Sequence, residues 1–248
     1  MPKSSHRQPI FWLQFSSMMR FIQLLVFCCL FTVMGSVMVR SQTARRAAPT
    51  VGTAPTRDSG SEEGIQKRWN ELGIWGGISF QTPTLISRTP DARSGYIAIR
   101  YGRVLATSKT VAFEWTIDAV PLSILSLQRI SLVPTGPGTF VLRKSRENVY
   151  GGGLSPIGLK LNFNRQHRVQ PFGSGTGGYL YFRKDVPRPG AARFNFTFDL
   201  GGGIQLVNSS RHAFTIGYEF KHISNGGRSP INPGVDMQIV YVGFSIFR

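Results

Sequence analysis

The sequence predicts an all-β protein, an eight-stranded antiparallel transmembrane β-barrel. Three observations predict this fold class. From residue 73 onward, apolar and polar residues alternate with a period of two, which is typical of strands with one apolar face. Short and long connections alternate between the segments, as in outer-membrane barrels. An apolar segment near the N-terminus has the features of an export signal.

The N-terminal segment predicts secretion. Lys3, Arg7 and Arg20 precede an apolar run over residues 21–34, which is the pattern of a signal peptide. We assign the signal peptide to residues 1–41, with small residues around 36–44 that permit cleavage. A transmembrane anchor over residues 21–39 is the alternative interpretation, because this run is nearly long enough to span a bilayer.

The cysteines exclude several chemistries. The chain has 2 cysteines, Cys28 and Cys29, and both lie in the predicted signal peptide. The mature chain would therefore lack a disulfide framework, a thiol nucleophile and a thiolate metal site.

The segment after the signal peptide predicts a lead-in without a stable fold. Residues 42–72 are rich in Ala, Thr, Ser, Gly and charged residues and have no sustained apolar period. We expect this lead-in to be disordered or weakly helical. Residues 73–248 would then form the barrel and carry the site.

Alternation predicts the strands one by one. In the segment 109–122 the odd positions include Val111, Phe113 and Trp115, whereas the even positions include Glu114 and Asp118. Similar patterns cover eight segments, at 72–81, around 97–102, 109–122, 157–163, 169–182, 192–206, 211–224 and 235–247. Six of the eight run for ten residues or more, which is long enough for a membrane-spanning strand.

The polar faces of these strands favour a barrel with a small polar interior. They carry acidic and basic residues among Gly and Thr, namely Arg100, Glu114, Asp118, Lys160, Asp199 and Glu219. Such charges can pair inside a narrow lumen, which side chains fill in barrels of this strand number. A porin-like channel is not expected. A soluble β-sandwich with its apolar face inward is the alternative, since its strands alternate in the same way.

The connections distinguish the two ends of the barrel. Four are moderate to long, at about 83–93, 123–149, 184–191 and 225–234, and three are short, at 107–109, 164–168 and 208–211. Because antiparallel connections alternate between ends, the longer loops would share the external end and the short turns the periplasmic end.

One external loop is flanked by residues suited to ester hydrolysis. His222 and Ser224 are two apart on a predicted strand, so they project from the same face. If the Gly-, Pro- and Asn-rich residues 225–234 form a loop and the chain returns antiparallel, Asp236 begins the next strand close to His222. A serine nucleophile, a histidine base and an orienting acid are the parts of an activated serine.

The side of the strands on which these three residues lie indicates which kind of substrate they could reach. In 211–224 the even positions form the apolar set and include His222 and Ser224, and Asp236 has the parity of Val240 and Val242. All three candidates would therefore lie on the lipid-facing side, at the external end. Two interpretations follow: interfacial polar residues, or an esterase whose substrate is a membrane lipid.

The segments 222–227 (HISNGG) and 232–236 (NPGVD) resemble those of a known family, the PagL-type lipid A 3-O-deacylases of the outer membrane, also called acyloxyacyl hydrolases. The resemblance covers the last two strands in sequence and residues 73–248 only in architecture. It implies an eight-stranded barrel of the Gram-negative outer membrane that hydrolyses the ester-linked acyl chain at the 3-position of lipid A.

The resemblance also implies a role for individual residues. Ser224 would be the nucleophile and His222 the general base, and Asn225 with a backbone N–H such as that of Gly227 would stabilise the oxyanion. Asp236 takes the position where the best-known member has a glutamate. The mechanism needs no cofactor or metal, and the sequence shows no cluster of His and carboxylates that would make a metal site.

The positive charge indicates the partner. The chain has a formal net charge of +17, yet its basic residues are scattered through a secreted barrel, which argues against nucleic acid as a partner. Several fall in predicted external loops: Arg88, Arg93, Arg129, Arg143, Lys144, Arg146, Lys184, Arg188 and Arg228. We expect this rim, and Arg228 at the site, to bind phosphorylated lipopolysaccharide. A non-enzymatic structural or binding barrel remains the alternative, and a homodimer is left open.

Overall fold

Eight strands close into a barrel in the computed structural model, which describes residues 64–248. The strands are β1 (Asn70–Gln81), β2 (Arg93–Thr107), β3 (Val111–Gly136), β4 (Thr139–Phe163), β5 (Val169–Val186), β6 (Ala192–Val207), β7 (His212–Ser224) and β8 (Val235–Phe247). Each pairs antiparallel with its neighbours in sequence, and β1 pairs with β8 to complete the ring. The predicted antiparallel barrel is confirmed, and the β-sandwich is excluded because the ring is closed.

The barrel begins earlier than predicted. The signal peptide and most of the lead-in lie outside the described residues. β1, however, starts at Asn70, so residues 70–72 belong to the barrel rather than to the lead-in. The alternation already holds there, because Glu71 points inward and is buried whereas Leu72 is 62% exposed. Before β1, the buried Ile65 lies in one apolar cluster with Phe247, and Trp69 packs against that cluster. Within residues 64–248 no helix is long and apolar enough to cross a membrane.

The two faces of the strands have the predicted composition. Large apolar side chains cover the outer face, where they include Ile74, Ile99, Phe198, Ile216 and Val242, all exposed. The inner face carries the charged set, and these residues are paired. Arg100 makes two hydrogen bonds of 2.6 Å to the Asp118 carboxylate.

Lys160 is the centre of a fully buried ionic cluster inside the barrel. Its ammonium is fully buried and lies 3.1 Å from Glu71 and 3.6 Å from Glu114. Farther along the interior, Lys221 lies 3.0 Å from Asp199. A cavity beside Lys221 has a volume of about 10 Å³, which is room for about one water molecule. The interior is therefore filled by side chains, as expected for a barrel of this size.

The predicted loop at 123–149 is wrong, because these residues form a hairpin that extends β3 and β4. The two strands pair as far as Gly136 and Thr139. A register shift between Val120 and Ser123 reverses the parity of β3, so that the odd positions Ser123, Leu125 and Leu127 point inward. Because the parity changes, an alternation counted over the first half of β3 does not predict that the strand continues.

The base of this hairpin is tied to its neighbours. Glu147 accepts a hydrogen bond of 2.7 Å from Arg129 and one of 2.6 Å from Lys184 at the end of β5. On the other side, Arg146 donates to the carbonyl oxygen of Asp91 in the β1–β2 loop. The apolar side chains nearer the tip, among them Leu132 and Leu142, are exposed.

Barrel closure places the two loops that matter for the site side by side. The loops at 82–92, 137–138, 187–191 and 225–234 lie at one end, and the turns at 108–110, 164–168 and 208–211 lie at the other. Because β1 pairs with β8, the β1–β2 loop neighbours the β7–β8 loop. A contact between these loops joins residues almost a whole barrel apart in sequence.

Candidate active site

His222 and Asp236 form a close pair where β7 ends and β8 begins. The two residues are directly opposite in the antiparallel register. His222 Nδ1 lies 2.6 Å from Asp236 Oδ1, a short distance typical of a charge-assisted hydrogen bond. Because Nδ1 is engaged, Nε2 is the ring nitrogen left to exchange a proton.

The Asp236 carboxylate is enclosed although it lies on the outer face of the barrel. Its second oxygen accepts hydrogen bonds from the backbone N–H groups of Ile86 (2.7 Å) and Ser87 (2.9 Å). The backbone N–H of Asp236 donates to Ser87 Oγ at 3.1 Å. The β1–β2 loop thus covers the start of β8, and Asp236 has no exposed surface.

Ile86 and Ser87 are the site residues that sequence reasoning missed. They lie 150 and 149 positions from Asp236 in sequence, and no motif surrounds them. Their proximity arises only because β1 and β8 close the ring, so no local signal could have found them.

Ser224 lies on the same outer face as His222, two residues farther along β7. It is half-buried and stands opposite Phe196 of β6 in the register. Among the residues that the structure describes, Ser224 has no hydrogen bond to His222. His222 and Asp236 are therefore in direct contact, whereas Ser224 shares only their face of the barrel. Serine–base contacts are often long without substrate and tighten when it binds.

The start of the β7–β8 loop is organised around Asn225, which is buried. Its side-chain Nδ2 donates to the Ile231 carbonyl oxygen at 2.9 Å, and its Oδ1 accepts the N–H of Gly227 at 2.9 Å. Its backbone N–H donates to Asn232 Oδ1. The Gly227 N–H therefore already donates to Asn225 Oδ1 and is not free to bind an oxyanion in this geometry. Asn225 keeps one amide hydrogen beyond the bond to Ile231.

Two glycines let this loop approach the site closely. Gly226 and Gly234 both have a φ of +64°, a conformation that side-chain-bearing residues rarely adopt. A Cβ on Gly234 would lie 3.2 Å from His222 Cε1, and one on Gly226 would lie 3.0 Å from the ring of Phe196.

Arg228 lies on an aromatic cluster beside Ser224. Its guanidinium carbon is 5.1 Å from the ring centre of Phe194 and 5.9 Å from that of Phe196. Phe194 in turn stacks on Tyr179, with ring centres 5.3 Å apart. Arg228 is exposed, so its donors remain accessible while the rings orient its side chain.

The comparison with protein families decides the assignment. A family model described as lipid A 3-O-deacylase (PagL) matches residues 109–245, which is more than half of the chain. The chain belongs to this family. The match includes β3 to β7, most of β8, and the three residues His222, Ser224 and Asp236. Membership places the chain in the Gram-negative outer membrane and among hydrolases.

Several solved structures align with this chain. The crystal structure of the outer membrane enzyme PagL aligns with a TM-score of 0.43 and 13% identity, over 70% of this chain and 97% of that chain. The crystal structure of Neisserial surface protein A (NspA) aligns with a TM-score of 0.39 and 12% identity, over 72% of this chain and 96% of that chain. The solid-state NMR structure of outer membrane protein AlkL aligns with a TM-score of 0.34 and 11% identity, over 79% of this chain and 94% of that chain. No curated protein matches the sequence.

Proposed function

We propose that this barrel hydrolyses the ester bond that links the acyl chain at the 3-position of lipid A, with Ser224, His222 and Asp236 as its catalytic triad. The observation that carries the proposal is the 2.6 Å contact between His222 and Asp236, on the same outer face as Ser224 and within the segment matched by the family model. These three residue types are the parts of an activated serine.

In this mechanism Ser224 attacks the ester carbonyl while His222 Nε2 accepts the hydroxyl proton. Asp236 keeps Nδ1 protonated and stabilises the imidazolium that forms. The protonated His222 then donates to the leaving 3-hydroxyl group, which leaves an acyl-serine. Water, deprotonated by His222, attacks this ester and releases the fatty acid, so that one ester and one water give one alcohol and one acid.

The position of the triad on the outer wall suits a lipid substrate. Exposed apolar side chains surround Ser224 and His222 on the outer faces of β6 and β7, including Phe196, Phe198 and Tyr218, each 43–51% exposed. We infer that they face lipid, so a lipid A molecule in the outer leaflet would reach Ser224 by lateral diffusion. The filled interior offers no competing route to the site.

For the oxyanion we propose Asn225 and Gly227 as donors. Asn225 has one amide hydrogen left after its bond to Ile231. The Gly227 N–H, which donates to Asn225 Oδ1, becomes available if the Asn225 side chain turns toward the substrate. Two donors of this kind would stabilise the tetrahedral intermediate of each step.

Arg228 is the proposed contact for the polar part of the substrate. Lipid A carries phosphates, which a guanidinium binds with charge-assisted hydrogen bonds. Arg228 lies on Phe194 and Phe196, directly beside the register position of Ser224. Of the other basic residues predicted in external loops, Arg88 and Arg188 do lie in loops, whereas Arg129, Arg143, Lys144 and Arg146 lie on the strands of the β3–β4 hairpin. Both groups would add an attractive field for the same surface.

Mass spectrometry of lipid A tests the proposal. Lipid A would be extracted from cells that express the parent chain and from cells that express Ser224→Ala at the same outer-membrane level. We expect the parent alone to remove one 3-hydroxyacyl chain. Unmodified lipid A in both samples, with folded barrels, would instead favour a structural or binding barrel. Deacylation in both would exclude Ser224 as the nucleophile.

A further inference from the structure

The β1–β2 loop holds the proposed catalytic acid from the side opposite to His222. One oxygen of Asp236 contacts His222, and the other accepts the N–H groups of Ile86 and Ser87. Because both oxygens are engaged, the carboxylate has little freedom to rotate. A carboxylate fixed in this way keeps the histidine ring in one orientation.

Ser87 makes a second contact that fixes the backbone of the acid. Its hydroxyl oxygen accepts the N–H of Asp236, which lies at the second residue of β8. Ser87 is 4% exposed and Asp236 is 0% exposed, so water cannot replace this acceptor without rearrangement of the loop. Ser87 therefore binds both the main chain and the side chain of the same residue.

The surroundings of Ser87 support a built contact. The N–H of the next residue, Arg88, donates to the carbonyl oxygen of Pro233 at 2.7 Å, which joins the two loops beside the site. Gly234 lies between Ser87 and His222: a Cβ on it would be 3.4 Å from Ser87 Cβ and 3.2 Å from His222 Cε1. Ile86, Ser87 and His222 thus contact one carboxylate, and Gly234 lies against two of these residues.

We propose that Ser87 is a positioning residue of the hydrolase, which acts through Asp236 to hold the His222 ring. This inference rests on the proposed function of the triad. It assigns a catalytic purpose to the β1–β2 loop, which lies outside the segment matched by the family model. It also accounts for the use of a short acid, because the loop holds the aspartate carboxylate within 2.6 Å of His222.

Kinetics of purified protein on lipid A in detergent micelles test the inference. For Ser87→Ala we expect kcat to fall about tenfold, as for the loss of one buried hydrogen bond that is worth more in the transition state. KM should not change, because Ser87 is buried and does not touch the substrate. Ser87→Thr keeps the hydroxyl group and should restore at least half of the parent kcat.

A double-mutant cycle separates positioning from a general structural effect. In the Asp236→Ala background, Ser87→Ala should cause no further loss of kcat, since its route to His222 is already absent. An equal loss in both backgrounds would overturn the proposal. So would a parent-like kcat for Ser87→Ala, or a Ser87→Thr variant as impaired as Ser87→Ala.

Ser79→Ala is the matched control. Ser79 Oγ also accepts a backbone N–H, that of Ser94 at 2.6 Å, but it does not contact Asp236, so kcat should stay at the parent value. The gel shift between unheated and heated samples would show that each barrel is folded. Ser224→Ala, measured in the same assay, distinguishes the two proposals: if it remains active, the triad fails, whereas a wild-type rate for Ser87→Ala alone rejects only the positioning role.

Discussion

The His222 ring is packed against a residue that has no side chain, Gly234, so a side chain at position 234 would require the ring to shift by a few tenths of an ångström. A Cβ at Gly234 would lie 3.2 Å from His222 Cε1, whereas a Cβ at Gly138, on the tip of the β3–β4 hairpin, would have no heavy atom within 4 Å. Both glycines have positive φ, +64° and +73°. Alanine at either position therefore meets a similar backbone strain, of roughly 1–2 kcal/mol, but only alanine at position 234 would press on the ring of His222, the proposed base.

We expect Gly234→Ala to lower kcat about tenfold relative to Gly138→Ala, a smaller loss than a full 1 Å misplacement would produce. Release of fatty acid from lipid A in micelles measures the difference. Equal rates for the two variants would mean that the His222 ring tolerates the displacement.

The residue scale also shows how far sequence reasoning reaches. Parity along β7 and β8 correctly predicts that His222, Ser224 and Asp236 share one face. It cannot predict that Asp236 is enclosed, because its cover comes from Ile86 and Ser87, about 150 positions away. Local alternation fixes the direction of a side chain, and only the closed ring fixes its neighbours across the seam.

The β3–β4 hairpin depends on electrostatics at its base. Hydrogen bonds from Lys184 and Arg129, outside the membrane-spanning part of the strands, hold the pKa of Glu147 below its ordinary value. A carboxyl group with a lowered pKa in the folded state adds stability above its unfolded pKa, and that stability is lost as the pH falls through the folded value. The hairpin base should therefore loosen in acid.

Hydrogen exchange of the parent and of Glu147→Gln tests this expectation. At pH 7 the parent should protect the backbone amides near Arg129 and Glu147 better than the variant does. At pH values below the lowered pKa of Glu147 in the folded state the two should converge, because the carboxylate is then protonated. Lys184 is 67% exposed, so the effect should be small and should decrease with salt. Protection that stays different in acid would contradict the ionic explanation.

The hairpin is also the element that sequence reasoning described incorrectly. Both of its strands, β3 and β4, are longer than the alternating segments 109–122 and 157–163 predict. In β3 the register shift between Val120 and Ser123 moves the inward side chains from even to odd positions. Leu125 and Leu127 are then buried, although they continue the earlier outward parity. A count that allowed one change of parity at Pro121 would have extended the strand.

At the scale of the whole molecule, the barrel is held from inside by ion pairs rather than by an apolar core alone. Lys160 lies within 3.6 Å of both Glu71 and Glu114, and all three side chains are fully buried. Ser245 of β8 adds a hydrogen bond of 2.6 Å to Glu71, so the cluster links β1, β3, β4 and β8. The alternation of charged and apolar residues predicts these inward charges, but the partners depend on the tilt of the strands, which the sequence does not specify.

Removal of Lys160 alone should lower the free energy of unfolding more than simultaneous removal of all three charges of the cluster. Lys160→Met leaves two buried carboxylates without their cation, and we expect it to lower the free energy of unfolding by about 3–5 kcal/mol. The triple variant Lys160→Met, Glu71→Gln, Glu114→Gln removes every charge of the cluster and should recover most of that loss, because no uncompensated charge remains. Urea titration in micelles, followed by the gel shift of the folded barrel, measures both. A triple variant as unstable as Lys160→Met would mean that the lysine stabilises the barrel mainly by its packing against the Trp75, Phe172 and Phe247 rings, which lie 5.5–5.9 Å from its ammonium.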